Sequence, residues 1–333
     1  MATQKFLYPI LGIITLGLIS GCDEEPPKIN FDLGIFPDSV IVIEGLNTQY
    51  DDYNMALEAS SIDSYEPLVF SSNRNSAGGE FDLVHGVIWY TFGQTTGYFN
   101  LAGEMRPDPF LDELTSAFNT SANEFGPFRF FNSGNGREYM VAGTEAEGTG
   151  LDIVFTRYIP VYSPLPVIPD PVPATVFNSD FNDVYLSLSR TLDTAYFCSD
   201  RSGDFDIFMM KKPSGSGLDE WFSSAPASPV AVDSICSGYN DKCPYVSGRY
   251  MLFASDMPGG SGGFDLYLSV FRGGKWSSPV NLGPEINTSA NEYRPVLGTD
   301  LYFENRYLIF SSDRSGGKGG YDLYFTGIDL PVE

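Results

Sequence analysis

The 333 residues carry 43 acidic against 19 basic side chains, a formal net charge of −24. A surface that negative repels phosphate backbones, which argues against nucleic-acid partners. Aromatics at 15%, with 35 Gly and 23 Pro, favour many short strands and turns over helices, and the length admits one large all-β domain or two ordinary ones.

At the N-terminus Lys5 precedes an apolar run from Phe6 to Ile19, shorter than a comfortable membrane span. The run closes on Leu18-Ile19-Ser20-Gly21-Cys22, which resembles the lipobox of bacterial lipoproteins, cleaved before the cysteine. The resemblance implies a signal peptide over residues 1–21 and a lipid-bearing Cys22, held to the membrane by several acyl chains. Asp23-Glu24-Glu25 is similar to an inner-membrane retention signal of enterobacteria and to the surface-export signal of Bacteroidota lipoproteins. The repeats described below favour the second. Residues 22–37 read as an acidic, Pro-containing tether. The expected location is the outer membrane, on its cell-surface or periplasmic face. Cys22→Ala should shift the protein from the membrane pellet to the soluble fraction; a variant that still pellets would refute the anchor.

Beyond the tether, one hairpin recurs. In its last copy Tyr307–Phe310 leads through Ser311-Ser312-Asp313-Arg314 and four glycines (316, 317, 319 and 320) to Asp322-Leu323-Tyr324-Phe325. The apolar run suits a strand covered on both faces, and the glycines suit a tight reversal. Earlier copies run 68–83, 139–153 (degenerate), 195–207 and 251–267. Each copy ends on an aspartate, Asp82, Asp152, Asp206, Asp265 or Asp322, expected to accept hydrogen bonds from loop N–H groups. Before each hairpin stands a second motif, clearest as Asn287-Thr288-Ser289-Ala290-Asn291-Glu292-Tyr293-Arg294-Pro295. Its acidic position falls at Asp52, Glu124, Asp183, Asp241 and Glu292, spaced by 72, 59, 58 and 51 residues. A period of that size holds four short strands, the content of a propeller blade.

Within a unit the acidic motif opens the inner strand, and the hairpin supplies the second and third. The fourth is expected at Trp276–Leu282, with a counterpart from Trp221 to Val232. Residues 91–117 read as the first unit's outer strand with a longer loop. The Pro-rich stretch Pro160–Pro173 suits the second unit's outer rim, where missing N–H groups are tolerated. The last unit lacks a fourth strand, and Ser39–Ile43 is a strand without a unit. The expected fold is therefore an all-β, five-bladed propeller over residues 38–328, closed by the N-terminal strand, with six blades as the alternative and 329–333 as a tail.

The hairpin with its preceding Asn-Glu-x-x-Pro resembles the TolB-type, WD-like propeller repeat, over about residues 39–327. That resemblance implies a bias towards protein–protein interaction. The reading it supports is a lipid-anchored scaffold that binds an envelope protein, for instance an outer-membrane β-barrel. The alternative is a surface glycan-binding protein or glycosidase of a polysaccharide-uptake system, since some five-bladed propellers are glycoside hydrolases with inner-strand carboxylates.

Symmetry should gather the five acidic positions around the channel, as a cation site or acid pair, or as partners of the repeat arginines 74, 201 and 314. The loop Asp200–Asp206 alternates carboxylates but departs from the EF-hand pattern, so calcium is only an alternative to having no cofactor. His85 is the single histidine and has no G-x-S-x-G near it; Gly316–Gly320 lacks the G-K-[ST] of a phosphate loop. Trp89, Trp221 and Trp276 could stack sugars, although the last two occupy similar repeat positions. Cys236–Cys243, Cys198–Cys243 or no disulfide at all remain open, all three being candidates for small buried hydrophobes. Asp38-Ser39-Val40, Asp193-Thr194-Ala195 and Asp233-Ser234-Ile235 resemble a short Bacteroidota O-glycosylation sequence. No catalytic signature emerges, so the expectation is a protein that is not an enzyme.

Overall fold

A computed structural model describes residues 30–57, 64–145, 150–160 and 166–331. Cys22 and the stretch expected to be a signal peptide and lipobox lie outside them. In chain order, β1 (Ile41–Val42) precedes a first blade of β2 (Asp52–Leu57), β3 (Tyr65–Ser72), β4 (Asp82–Phe92) and β5 (Phe99–Glu104). After helix α1 (Pro109–Phe118) comes a second blade: β6 (Glu124–Asn132), β7 (Arg137–Thr144), β8 (Asp152–Tyr158) and β9 (Val172–Pro173). The third has β10 (Asp183–Leu188), β11 (Thr194–Ser199) and β12 (Asp206–Lys211), then helix α2 (Leu218–Phe222) and outer strand β13 (Val230–Ala231). The fourth has β14 (Asp241–Ser247), β15 (Tyr250–Ser255), β16 (Asp265–Arg272) and two short outer pieces, β17 (Lys275–Trp276) and β18 (Val280–Asn281). The fifth has β19 (Glu292–Gly298), β20 (Arg306–Ser312) and β21 (Asp322–Ile328), and β1 pairs antiparallel with β21 to complete it. Five blades, four of four strands and one whose outer strand is split in two, closed by the N-terminal strand, are the expected architecture.

Three places differ from their sequence reading. Residues 91–117 contain not only the outer strand but also α1, whose Asp108 cap accepts the Phe110 and Leu111 N–H groups, with Pro109 in the first turn. Its buried Leu111, Leu114 and Phe118 recur at helical spacing and seal the groove between blades one and two. Trp221 lies in α2 rather than a strand, yet it is buried like Trp276. Phe36, assigned to the tether, is 1% exposed and packed in the core.

Each inner strand carries a register shift against its neighbour two residues after the acidic position. There Asn54, Gly126, Tyr185, Cys243 and Arg294 all have φ between 48° and 60°. Such a bulge turns the strand and re-aims its side chains. These residues plug the channel: the Asn54 amide donates to the Tyr185 hydroxyl at 3.2 Å, and Arg294 reaches the Pro127 carbonyl at 2.8 Å. Gly126 is obligatory because a Cβ there would stand 2.3 Å from the Tyr185 ring.

Candidate functional site

The five acidic residues do occupy equivalent places, at the head of each inner strand, and all are fully buried. Each anchors the loop before it. Asp52 accepts Thr48 N–H at 2.6 Å and its hydroxyl at 2.8 Å; Asp183, Asp241 and Glu292 repeat this with Ser179, Ser237 and Thr288. Glu124 accepts the Thr120 hydroxyl at 2.7 Å. Three of them also hold the repeat arginine of their own blade. Asp52 bonds Arg74, Asp183 accepts Arg201 at 2.5 Å and Glu292 accepts Arg314 at 3.0 Å. Each guanidinium also donates to a backbone carbonyl, of Leu46, Phe177 or Ile286, and so ties two loops together.

The other two have no such partner. Met257 follows Ser255-Asp256 where blades one, three and five place arginine, so Asp241 keeps only hydroxyl and N–H donors. Burial therefore raises its pKa to about 6, against the hydrogen bonds of Ser255 and Ser237, with Asp206 adding repulsion. Burial likewise raises Glu124, opposed by Thr120 and Thr144. A carboxyl raised on folding stabilises the fold below its unfolded value of 3.8, and that contribution is lost as pH rises through about 6. Asp241→Asn should thus match the parent protein near pH 4 and exceed it by about 2–3 kcal/mol at pH 7. Urea denaturation across that range reads this difference, and a pH-independent one would refute it.

In the last two blades the loop aspartates accept N–H groups of their own loops. Asp322 accepts the Lys318 and Gly319 N–H groups at 2.5 and 3.1 Å, and Asp265 those of Ser261 and Gly262 at 2.6 and 3.2 Å. Asp206 and Asp82 take side-chain donors instead, Ser202 and Asn75. Asp152 is half-buried at the head of β8. A second clasp joins adjacent blades. Asn123, Asn182, Asn240, Asn291 and Asp51 each accept the N–H of the residue preceding that aspartate in the neighbouring blade. Asp200, Asp256 and Asp313 each receive both the N–H and the amide of that asparagine, so the carboxylate proposed for calcium is already engaged.

This clasp places a ring of apolar side chains around the mouth where the inner strands begin. Phe81, Leu151, Phe205, Phe264 and Tyr321 stand immediately before the third strands, and all are half-buried. Between them stand Tyr53, Phe125 and Tyr293 from the inner strands. Tyr53 stacks on Tyr321 at 5.3 Å and meets Phe81 edge-on at 5.0 Å; Phe81 meets Phe125 at 5.3 Å, and Phe264 meets Tyr293 at 5.3 Å. Lys242 closes the circle, its Nζ 3.9 Å from the Phe205 ring centre and 5.7 Å from that of Phe264. The sequence reading missed this collar. Its signal was the aromatic residue immediately before four of the five loop aspartates.

Other candidates resolve differently. His85 lies in β4, with Nε2 2.8 Å from Asp112 of α1. Cys198, Cys236 and Cys243 are thiols; the Cys243 N–H donates to the Cys198 sulfur at 3.0 Å. Burial pushes Cys243 up to about 11 and Cys236 up to about 12. Cys236 stands where four blades use asparagine to bracket the neighbouring third strand, and it keeps only an S–H donation to the Ile207 carbonyl, at 3.5 Å. Among the described residues no group of three or more His, Cys, Asp or Glu is arranged to hold a metal.

No protein-family model matches this chain, and no curated protein matches it in sequence. Solved structures do match in fold. A thermostable family-43 glycoside hydrolase superposes with a TM-score of 0.55 at 12% identity, covering 87% of this chain and 94% of its own. A GH43_12 protein from a capybara gut metagenome gives 0.53 at 16% identity, covering 89% of this chain and 54% of its own. The α-L-arabinofuranosidase of Lactobacillus brevis gives 0.51 at 8% identity, covering 87% and 94%. At such identities the shared property is the fold. These neighbours nonetheless overturn the expectation of a non-enzyme, because the structures this propeller resembles are glycoside hydrolases. They also favour the glycan alternative over the scaffold reading.

Proposed function

We propose that this chain is a glycan-acting propeller of the glycoside hydrolase type, which receives its sugar on the collared mouth. The observation that carries the reading is the collar itself. Half-buried rings with one lysine, on a rigid five-blade frame, offer apolar faces for sugar stacking beside a hydrogen-bond donor. The fold of the neighbouring hydrolases supports it, and the α-L-arabinofuranosidase and an exo-β-1,3-galactanase from Clostridium thermocellum among them suggest arabinose- and galactose-containing glycans as first probes. The five repeat carboxylates serve the frame in this reading, since each is sealed from solvent. The lipobox-like segment would place such a protein at the outer membrane, where extracellular glycans are met.

Glycan-array binding and reducing-sugar release from arabinan and galactan test the proposal. Phe81→Ala and Phe264→Ala should each weaken binding about tenfold, the loss of one stacking face. Neither binding nor release on any glycan, or binding indifferent to both substitutions, would defeat it.

A further inference from the structure

At the opposite end of the channel, where the inner strands finish, lies an axial cavity of about 210 Å³. Arg294, from the bulge of β19, lines it and is 1% exposed. One guanidinium nitrogen, Nη2, donates to the carbonyls of Pro127 and Gly126 at 2.8 and 3.5 Å, and the group lies 5.4 Å from the centre of the Tyr185 ring. Its Nε and Nη1 have no hydrogen-bond partner. Leaving two donors of a buried cation unmatched costs several kcal/mol by the usual reckoning, unless something satisfies them.

The charges around the cavity indicate what does. Arg129 lines it and is bound to Glu138 at 2.6 Å. Arg306 stands at the rim, 3.3 Å from the hydroxyl of Ser247. Glu66 also faces the cavity, and its carboxylate receives the Tyr307 hydroxyl. Three arginines against two glutamates leave this region positive in a chain whose net charge is −24. A guanidinium N–H without an acceptor favours an anionic oxygen, and Nε and Nη1, on different edges of the group with Nη2 between them, offer two such points. Ser247 and Thr299 add hydroxyl donors to the wall.

We infer that this lower cavity is a binding site for a small oxyanion, of the carboxylate or sulfate class, anchored by an unmatched guanidinium N–H of Arg294. The site is independent of the glycan reading, since it lies at the far end of a plugged channel. Bound there, the anion would link blade five to the wall formed by blades one, two and four.

The test compares sodium sulfate and sodium acetate with sodium chloride at matched ionic strength, read by thermal unfolding. Sulfate favours compact states of most proteins without any site, so the informative quantity is the saturable part that depends on Arg294. In the parent protein a low-millimolar oxyanion should raise the melting temperature by about 2 °C and then plateau. Arg294→Gln should abolish the plateau. An equal, saturable rise in that variant would overturn the inference. Because Arg294 is buried and the variant could fail to fold, a second measurement uses the parent protein alone. Crystals soaked in selenate should show an anomalous peak in the cavity that places a selenate oxygen within hydrogen-bond distance of Arg294 Nε or Nη1, and an ordered cavity with no such peak would overturn it equally.

Discussion

Phe36→Ala should lower the unfolding free energy by about 3–5 kcal/mol, the range found when a buried aromatic side chain is truncated in a rigid core. Phe36 precedes β1 and is buried in the core cluster that joins blades one and five. Its ring lies stacked 3.8 Å from Phe303 and edge-on to Tyr90, Tyr307 and Phe325, at 5.1, 5.1 and 5.7 Å. Its backbone is fixed from both sides: the N–H donates to Asn305 at 2.9 Å, and the carbonyl accepts the Asn305 amide at 2.8 Å. The walls of the resulting hole belong to blades one and five, whose strands cannot collapse without disturbing the ring. Since β1 contributes only two paired residues, packing at Phe36 holds the closure more than strand pairing does. Urea denaturation measures the loss; a change below about 1 kcal/mol would show that the ring closes without it.

Arg201→Met should cost about 3–5 kcal/mol, because it leaves Asp183 sealed in the blade without its cation. The guanidinium also donates to the Phe177 carbonyl and lies over the Phe197 and Phe208 rings, so its removal loosens the loop between blades two and three. Adding Asp183→Asn should recover a large part of the loss, since the remaining amide is neutral and can still accept from Ser179. The fourth blade is a natural precedent: it folds with Met257 in place of arginine and carries its unpaired charge as a raised Asp241. Equal destabilisation of the single and double variants would show that the ion pair is not the cause.

Much of the fold was legible because repeats state their requirements several times. Asp322 and Asp265 could be assigned to loop N–H groups from spacing alone, and the unmatched strand at Ser39–Ile43 announced how the ring closes. Helix α1 was written in Asp108-Pro109 and the spacing of Leu111, Leu114 and Phe118, yet it was hidden by the expectation of strands. The candidate sites were less legible. Repetition marked the five carboxylates as interesting, and the structure shows them fastening loops inside the blades. The collar and the Arg294 cavity are each built from residues far apart in the chain.

The sequence by itself determined the all-β class, the five-unit ring and its N-terminal closure, because strand pattern, turn chemistry and period are local properties that recur. Only the tertiary structure decided which groups face one another across the axis. The bulge in every inner strand turns Asn54, Tyr185, Cys243 and Arg294 inward, and it divides the channel into an aromatic mouth and a cationic cavity. A single residue with positive φ sets that direction, and its consequence appears only when five blades converge on one axis.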